Sequence, residues 1–320
     1  MASEKGWVPD KQRCFAQISS SQKTKQGLIM IQTPTTHDAP ILVFGRTGQV
    51  ATELQRQSDR VISLGREDAD LSDSNACAKI IAETEAVAVI NAAAYTAVDK
   101  AEEEELLATC VNGETPKAMA EACAARGLPF VHISTDYVFD GSGTTPWRPT
   151  GPTGPLGAYG RSKLAGENGI LAAGGNAAIL RTSWVFSSHG NNFVKTMLRL
   201  AETRDALTIV GDQVGGPTSA ADIAAACIKI ANAMLAGQEG GTYHFSGAPD
   251  ASWADFAREI FDQAGRAVAV TDIPSSDYPT PAKRPANSRM DCGDIQKDFD
   301  ISRPDWRVSL AAVLKDLKGN

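Results

Sequence analysis

Short β-branched apolar runs alternate with segments of helical period through most of the chain. Ile41–Phe44, Val61–Leu64, Val87–Ile90 and Phe130–Ser134 have strand length, while Val50–Gln57, Ser74–Thr84, Val98–Arg126 and Tyr159–Ala172 repeat apolar side chains at helical spacing. Ser74 stands where a helix cap is wanted and Gly127 where a left-handed C-cap would end a helix. This alternation predicts βαβ units around a buried parallel sheet. The second half is less regular, with strands expected at Ala178–Leu180, Leu207–Val210 and Thr242–Phe245 and helices at Asn192–Thr203, Ala220–Leu235 and Ser252–Gly265. Pro274–Arg289 reads as a long loop, and the acidic run Glu102–Glu105 as a solvated helix face.

The fold class expected is α/β: a doubly wound parallel sheet with a smaller C-terminal lobe. Residues 1–39 lack a sustained apolar period and read as a disordered N-terminal extension, without the apolar core of a secretory signal. Residues 40–178 would form the nucleotide-binding domain. Residues 179–320 would form mainly a substrate-binding lobe, with some strands returning to the main sheet.

Charge and cysteine usage narrow the partners. The 31 basic residues against 38 acidic ones give a net charge of −7, a poor match for nucleic acid. No apolar run approaches the ~18 residues that cross a bilayer. The six cysteines include no C-x-x-C pair and read as reduced thiols of a cytoplasmic protein, and the four histidines are too dispersed for a zinc site, so no metal centre is expected.

Gly45-Arg46-Thr47-Gly48-Gln49-Val50-Ala51 follows the first strand and opens a helix. Glycines there let the backbone approach a pyrophosphate at the helix N-terminus, so the motif in this context predicts a dinucleotide-binding Rossmann fold. At the end of the second strand stand Gly65 and Arg66, with no carboxylate where NAD selectivity would place one. Arg66 and Arg46 could fork onto a 2′-phosphate, which favours NADPH, or could be solvated surface arginines.

Tyr159 and Lys163 lie four apart and share a helix face. An ammonium one turn away, with the positive ring of an oxidised nicotinamide, has the right sign to lower the tyrosine's pKa from its usual value near 10 toward neutrality, as proton transfer requires. Ser134 and Thr135 end the fourth strand, where ligands of open α/β sheets bind. The Thr135 hydroxyl could donate to a ketone oxygen becoming an alkoxide.

In this order, the residues resemble the extended short-chain dehydrogenases/reductases, and within them the dTDP-4-dehydrorhamnose reductase family. Matching stretches are Phe44–Val50, Asn91–Asp99, Ser134–Phe139, Tyr159–Glu167, Arg181–Phe186, Asn191–Phe193, Asp212-Gln213 and Gly216–Thr218. Tyr278–Pro281, Arg284-Pro285 and Asn287-Ser288 extend the likeness, which runs from about residue 40 to 308. The resemblance implies NADPH-dependent reduction of the C4 ketone of dTDP-4-dehydro-β-L-rhamnose to dTDP-L-rhamnose, for cell-surface polysaccharide. It also implies a homodimer as one available state and NADH as a second cofactor in some relatives.

By position, the resemblance makes Tyr159 the proton donor, Lys163 its electrostatic and ribose-binding partner, and Thr135 the residue that orients the carbonyl. Gly48, Gln49 and Val50 would hold the pyrophosphate, Asp70 and Leu71 the adenine, and Ala93, Ala94, Tyr95 and Thr96 the ribose. Asp136 and Trp184 would contact the sugar nucleotide. Two departures stand out. Ala51 replaces the last glycine of the turn, and Ala221, with Asp222 beside it, replaces one of the glutamates through which some relatives bridge a dimer by magnesium, although Glu53 matches another. That argues against a magnesium-bridged dimer.

Rival readings are a noncatalytic NADP-binding regulatory subunit of the methionine adenosyltransferase type, and a sugar-nucleotide epimerase or dehydratase. The intact Thr135/Tyr159/Lys163 set favours catalysis. Tyr137 stands where a dehydratase would carry its second carboxylate.

Overall fold

The computed structural model describes residues 39–319, so the extension expected over 1–39 lies outside the described residues except for Ala39. Six parallel strands form the central sheet: β1 (Ile41–Phe44), β2 (Val61–Leu64), β3 (Ala88–Asn91), β4 (Phe130–Thr135), β5 (Ala177–Thr182) and β6 (Gly241–His244). Their spatial order is β2-β1-β3-β4-β5-β6. The order reverses between β1 and β3, and a cleft opens there at the strands' carboxyl ends.

Helices α1 (Gln49–Gln57), α2 (Ser74–Glu83), α3 (Thr115–Arg126), α4 (Ala158–Ala172) and α5 (Ala220–Leu235) cover the two sheet faces. Strand side chains alternate between those faces. Ile41, Val43, Ala88 and Ile90 join a core with α1 and α5. Leu42, Phe44 and Val89 join another with α2, α3 and α4. Both faces are therefore apolar, and β1 and β3 are buried along their whole length. A third core, built on Phe186, Met197, Phe256 and Trp306, belongs to the smaller lobe. Its last helix, Trp306–Gly319, was not singled out by the sequence pattern. Among the described residues no helix is long and apolar enough to cross a membrane.

Three local expectations need correction. The helix expected over Val98–Arg126 is broken into Val98–Ala101, Glu105–Thr109, a π-helical turn Cys110–Glu114, and α3. The π turn points Asn112 inward, where it accepts from Tyr95 N at 2.8 Å and donates to Ser162 Oγ at 3.0 Å. Helix α2 is capped by Asp73, which accepts from Ala76 N, while Ser74 hydrogen-bonds Thr115. A carboxylate at that position satisfies the free N–H and also complements the helix dipole. The acidic run is not merely solvated: Glu102 accepts from Ala158 N at the start of α4, and Glu105 forms an ion pair with Arg161 at 2.7 Å.

Helix α4 lies very close to its neighbours because glycines face them. A Cβ on Gly166 would stand 2.1 Å from the Asn112 carbonyl oxygen, and one on Gly160 would stand 2.2 Å from that of Tyr137. In an open helix, glycine to alanine stabilises by roughly 0.5–1 kcal/mol. Gly166→Ala should instead destabilise by about 1–3 kcal/mol, the cost of forcing an overpacked contact apart. The shift of the urea unfolding midpoint measures it, and a stabilised variant would contradict this packing.

Candidate active site

All the residues singled out from the sequence for the site line one cleft of ≈1020 Å³. Its floor begins at the glycine turn. Gly45 has φ +117°, which favours glycine, and a Cβ on Gly48 would meet nothing within 4 Å. Gly48 caps α1 without a side-chain hydrogen bond, so the first amides of the helix face the cleft free to receive a pyrophosphate. Gln49 ties this turn to the smaller lobe, accepting from Ser187 Oγ at 2.8 Å and Asn192 Nδ2 at 2.9 Å.

At the end of the cleft beside β2 the arginines are not free cations. Arg46 pairs with both Glu67 and Asp68 and donates to Ser63 O at 3.0 Å. Arg66 is 81% exposed and lies 3.4 Å from Asp70. The turn after β2 also carries a carboxylate back to the strand end, where sequence reading saw none. Glu67 Oε1 lies 2.5 Å from where a Cβ on Gly65 would stand. Asp70 itself is engaged by the Ser72 amide and hydroxyl, which pull its pKa down.

Tyr159, Lys163, Thr135 and Asp136 converge at the other end of the cleft. Burial lowers the pKa of Lys163 to about 8, against a smaller opposing effect of Glu167. In the ligand-free site the shift of Tyr159 runs opposite to the one expected with an oxidised cofactor bound. Desolvation, aided by the Asp136 charge, raises its pKa to about 12, while a hydrogen bond from Thr135 pulls the other way. The Lys163 ammonium does not lower it because Nζ is directed at Ile133 O (2.7 Å) and His132 Nε2 (3.1 Å). Asp136, buried and bonded by Ser288 and Thr135, is pushed up to about 6 by desolvation.

Trp184 forms the far wall in a left-handed conformation, φ 51°, costly for so large a side chain. Its indole stacks on Trp253 with centroids 3.6 Å apart, and Trp253 donates to Gln213 at 3.2 Å. Beyond the stack lies a second cavity of ≈940 Å³, lined in part by Trp253, Phe193, Arg204, Lys283 and Arg284.

Sequence reading missed the groups that hold this site. Glu167 on α4 meets Arg181 on β5 through Nε–Oε1 (2.9 Å) and Nη2–Oε2 (2.6 Å), both side chains almost wholly buried. Ser134 also donates to Glu167, and Arg181 to Pro149 O. His132, Ser134 and Arg181 are polar residues inside strands buried on both faces, and that misfit with an apolar run was the available signal. Glu53 and Asp222, the acids weighed from the sequence for a magnesium bridge, are held by His189 and Arg56 and by Ser219 and Ser309 respectively. No metal-binding cluster of His, Cys, Asp and Glu occurs among the described residues.

A glycine turn that opens a helix and a threonine–tyrosine–lysine set, both at one cleft of a doubly wound sheet, mark the short-chain dehydrogenase/reductase class. Within that class the chain belongs to the RmlD substrate binding domain family, whose model matches residues 39–318. It is 46% identical over 279 residues to the dTDP-4-dehydrorhamnose reductase of Sinorhizobium fredii, covering 84% of this chain and 94% of that protein. A dTDP-4-dehydrorhamnose reductase crystal structure from Clostridium acetobutylicum matches with TM-score 0.83 at 38% identity, covering 87% of this chain and 99% of that one. The Bacillus anthracis reductase in complex with NADP matches with TM-score 0.82 at 31% identity and the same coverage.

Removing one partner of a buried ion pair leaves the other charge uncompensated, at a cost of about 3–5 kcal/mol. Glu167→Ala should lower unfolding free energy by about that amount in urea titrations. A loss below about 1 kcal/mol, the range of exposed pairs, would show that the pair does not hold α4 to the sheet.

Proposed function

We infer that this chain is an NADPH-dependent reductase that converts the C4 ketone of dTDP-4-dehydro-β-L-rhamnose to the alcohol of dTDP-L-rhamnose. The observation that carries the reading is that Thr135, Tyr159 and Lys163 line the same cleft that begins at the glycine turn. Bound along that cleft, NADPH supplies the hydride. Thr135 and Tyr159 address the ketone oxygen and stabilise the charge that grows on it, and Tyr159 delivers the proton. Lys163, fixed by Ile133 O and His132, presents its amine to the cofactor ribose. Desolvation suits reduction: it keeps Tyr159 protonated across the physiological range. An alkoxide is a stronger base than a phenolate, so proton transfer still runs downhill.

The sugar nucleotide is proposed to lie against Asp136 and Trp184, with its nucleotide end in the second cavity. Aromatic walls there suit a base, and Arg204, Lys283 and Arg284 suit phosphates. Cys77, Cys110, Cys123, Cys227 and Cys292 are free thiols, as the cytoplasmic setting proposed for the enzyme requires.

Purified full chain mixed with NADPH and dTDP-4-dehydrorhamnose should consume the reduced cofactor only when the sugar nucleotide is present. Tyr159→Phe should lower kcat by about 10²–10⁴-fold and leave the NADPH Kd nearly unchanged. Cofactor binding without turnover in the wild-type protein would favour the noncatalytic regulatory reading. Cofactor choice follows from the paired charges at the adenosine end. Arg46 can meet a 2′-phosphate and Glu67 a 2′-hydroxyl, so kcat/KM for NADH should fall within about tenfold of that for NADPH, less than one charge-assisted hydrogen bond would impose alone. Glu67→Ala should widen the ratio in favour of NADPH, and a preference above about a thousandfold in the wild type would overturn the argument.

A further inference from the structure

Behind Lys163 runs a buried line of hydrogen bonds that the reduction reading does not use. Asn91, at the end of β3, is the register partner of His132 on β4, and both are almost fully buried. The Asn91 side-chain oxygen accepts from Ala93 N at 3.2 Å, at the start of the loop that lines the cofactor cleft. Its amide nitrogen therefore faces His132 Nδ1, at 3.2 Å, and that ring nitrogen must accept. Burial holds the imidazole neutral, and with Nδ1 accepting from Asn91 its single proton sits on Nε2. Nε2–H then points at Lys163 Nζ, 3.1 Å away. An ammonium has only donors and cannot receive that N–H; a neutral amine, with its lone pair, can.

We propose that Asn91 and His132 are positioning residues that set the protonation of Lys163: anchored by the Ala93 amide, the chain offers Nζ an N–H instead of a lone pair and so favours the neutral amine. The equilibrium is Lys163–NH3⁺ giving up one proton to solvent through the cleft it lines, with the amine then accepting from His132 and still donating to Ile133 O. The other charged or titratable groups around Lys163 are Tyr159 and Glu167 on its own helix, Asp136 just past β4, and Arg181 on β5 bound to Glu167. Glu167 opposes the effect, and the direction of the remaining shift agrees with it. For the reaction, Lys163 becomes a group able to exchange a proton close to working pH as Tyr159 is reset.

The test is a titration of Lys163 in the ligand-free full chain, read from the ¹⁵N shift of its Nζ after ¹⁵N-lysine labelling, with Lys163→Met to assign the signal. Asn91→Ala removes the donor facing Nδ1, so the imidazole can turn its proton there and present a lone pair to Nζ. Asn91→Asp keeps an acceptor for Ala93 N and adds one for Nδ1–H. Each variant should move the midpoint upward by about one pH unit or more, a tenfold gain in proton affinity. The alkaline limb of kcat/KM should move with it. Midpoints unchanged or lowered in both variants would overturn the proposal, and circular dichroism at each pH confirms that the variants compared are folded. This inference rests on the reductase reading only for its consequence. A shifted midpoint in a protein that reduces no ketone would sink that reading alone, and an unshifted one in an active enzyme would sink the chain alone.

Discussion

The buried pair Glu167–Arg181 is the constraint on which the catalytic geometry depends. Helix α4 carries Tyr159, Lys163 and Glu167 on consecutive turns, and Glu167 is bonded to Arg181 on β5 and to Ser134, the residue before Thr135. One carboxylate therefore sets the height of α4 against the two strands whose ends frame the cleft. Arg181 Nη1 donates to Pro149 O and lies 3.4 Å from His244 Nε2, and the guanidinium sits 5.0 Å over the Phe139 ring, so the loop after β4 is fixed by the same group. Burying two charges is expensive, and an apolar pair of similar volume could give as much stability. What the ion pair adds is direction. A bidentate contact holds both translation and rotation of the helix, and the productive range for catalytic groups is narrow.

The rest of the site is built by close approach. Gly160 and Gly166 bring α4 against the Tyr137 and Asn112 carbonyls, which lets Asn112 hold Tyr95 with one group and Ser162 with another. The cofactor loop and the catalytic helix thus share a single amide. The smaller lobe is tied in by Ser288 on Asp136, by Gln49 with Asn192, and by Arg284 on Asp99 at 2.9 Å. Trp184, strained in its backbone and backed by Trp253, is held where the two cavities meet. Strain of this kind persists only where the surroundings over-determine it, and here an indole stack and the Thr218 amide on its carbonyl do so.

Much of this was legible in the chain. The strands β1 and β2 fall on the apolar runs: β1 is buried on both faces, which leaves no other reading of its four consecutive apolar residues, while β2 is a partly exposed edge strand marked by Val61, Ile62 and Leu64. The glycine turn and the tyrosine–lysine spacing located the cleft, since each depends on local geometry that the sequence states directly. Long-range pairings were not legible. Glu67 folding back to Gly65, Asn112 turned inward by a π bulge, and Arg181 reaching α4 depend on which elements meet, and periodicity is silent on that. The second half resisted for the same reason. Its strands are short, many pair with elements far away in sequence, and the helix Trp306–Gly319 docks by one tryptophan and a few aliphatics.

The sign of the Tyr159 shift carries the last step. Sequence spacing implied a lysine that, with the positive ring of an oxidised nicotinamide, lowers the tyrosine. In the folded chain the lysine amine is turned to a carbonyl and an imidazole, Asp136 lies close enough to matter, and desolvation dominates. All of these keep the phenol protonated. A reductase needs its acid loaded before hydride arrives, and a tyrosine that holds its proton to about pH 12 is loaded at any physiological pH. A phenolate is disfavoured further by the same environment, which moves the phenol from its ordinary value near 10 up to about 12. The ligand-free site therefore holds Tyr159 in the protonated form that the proton donor proposed for ketone reduction requires.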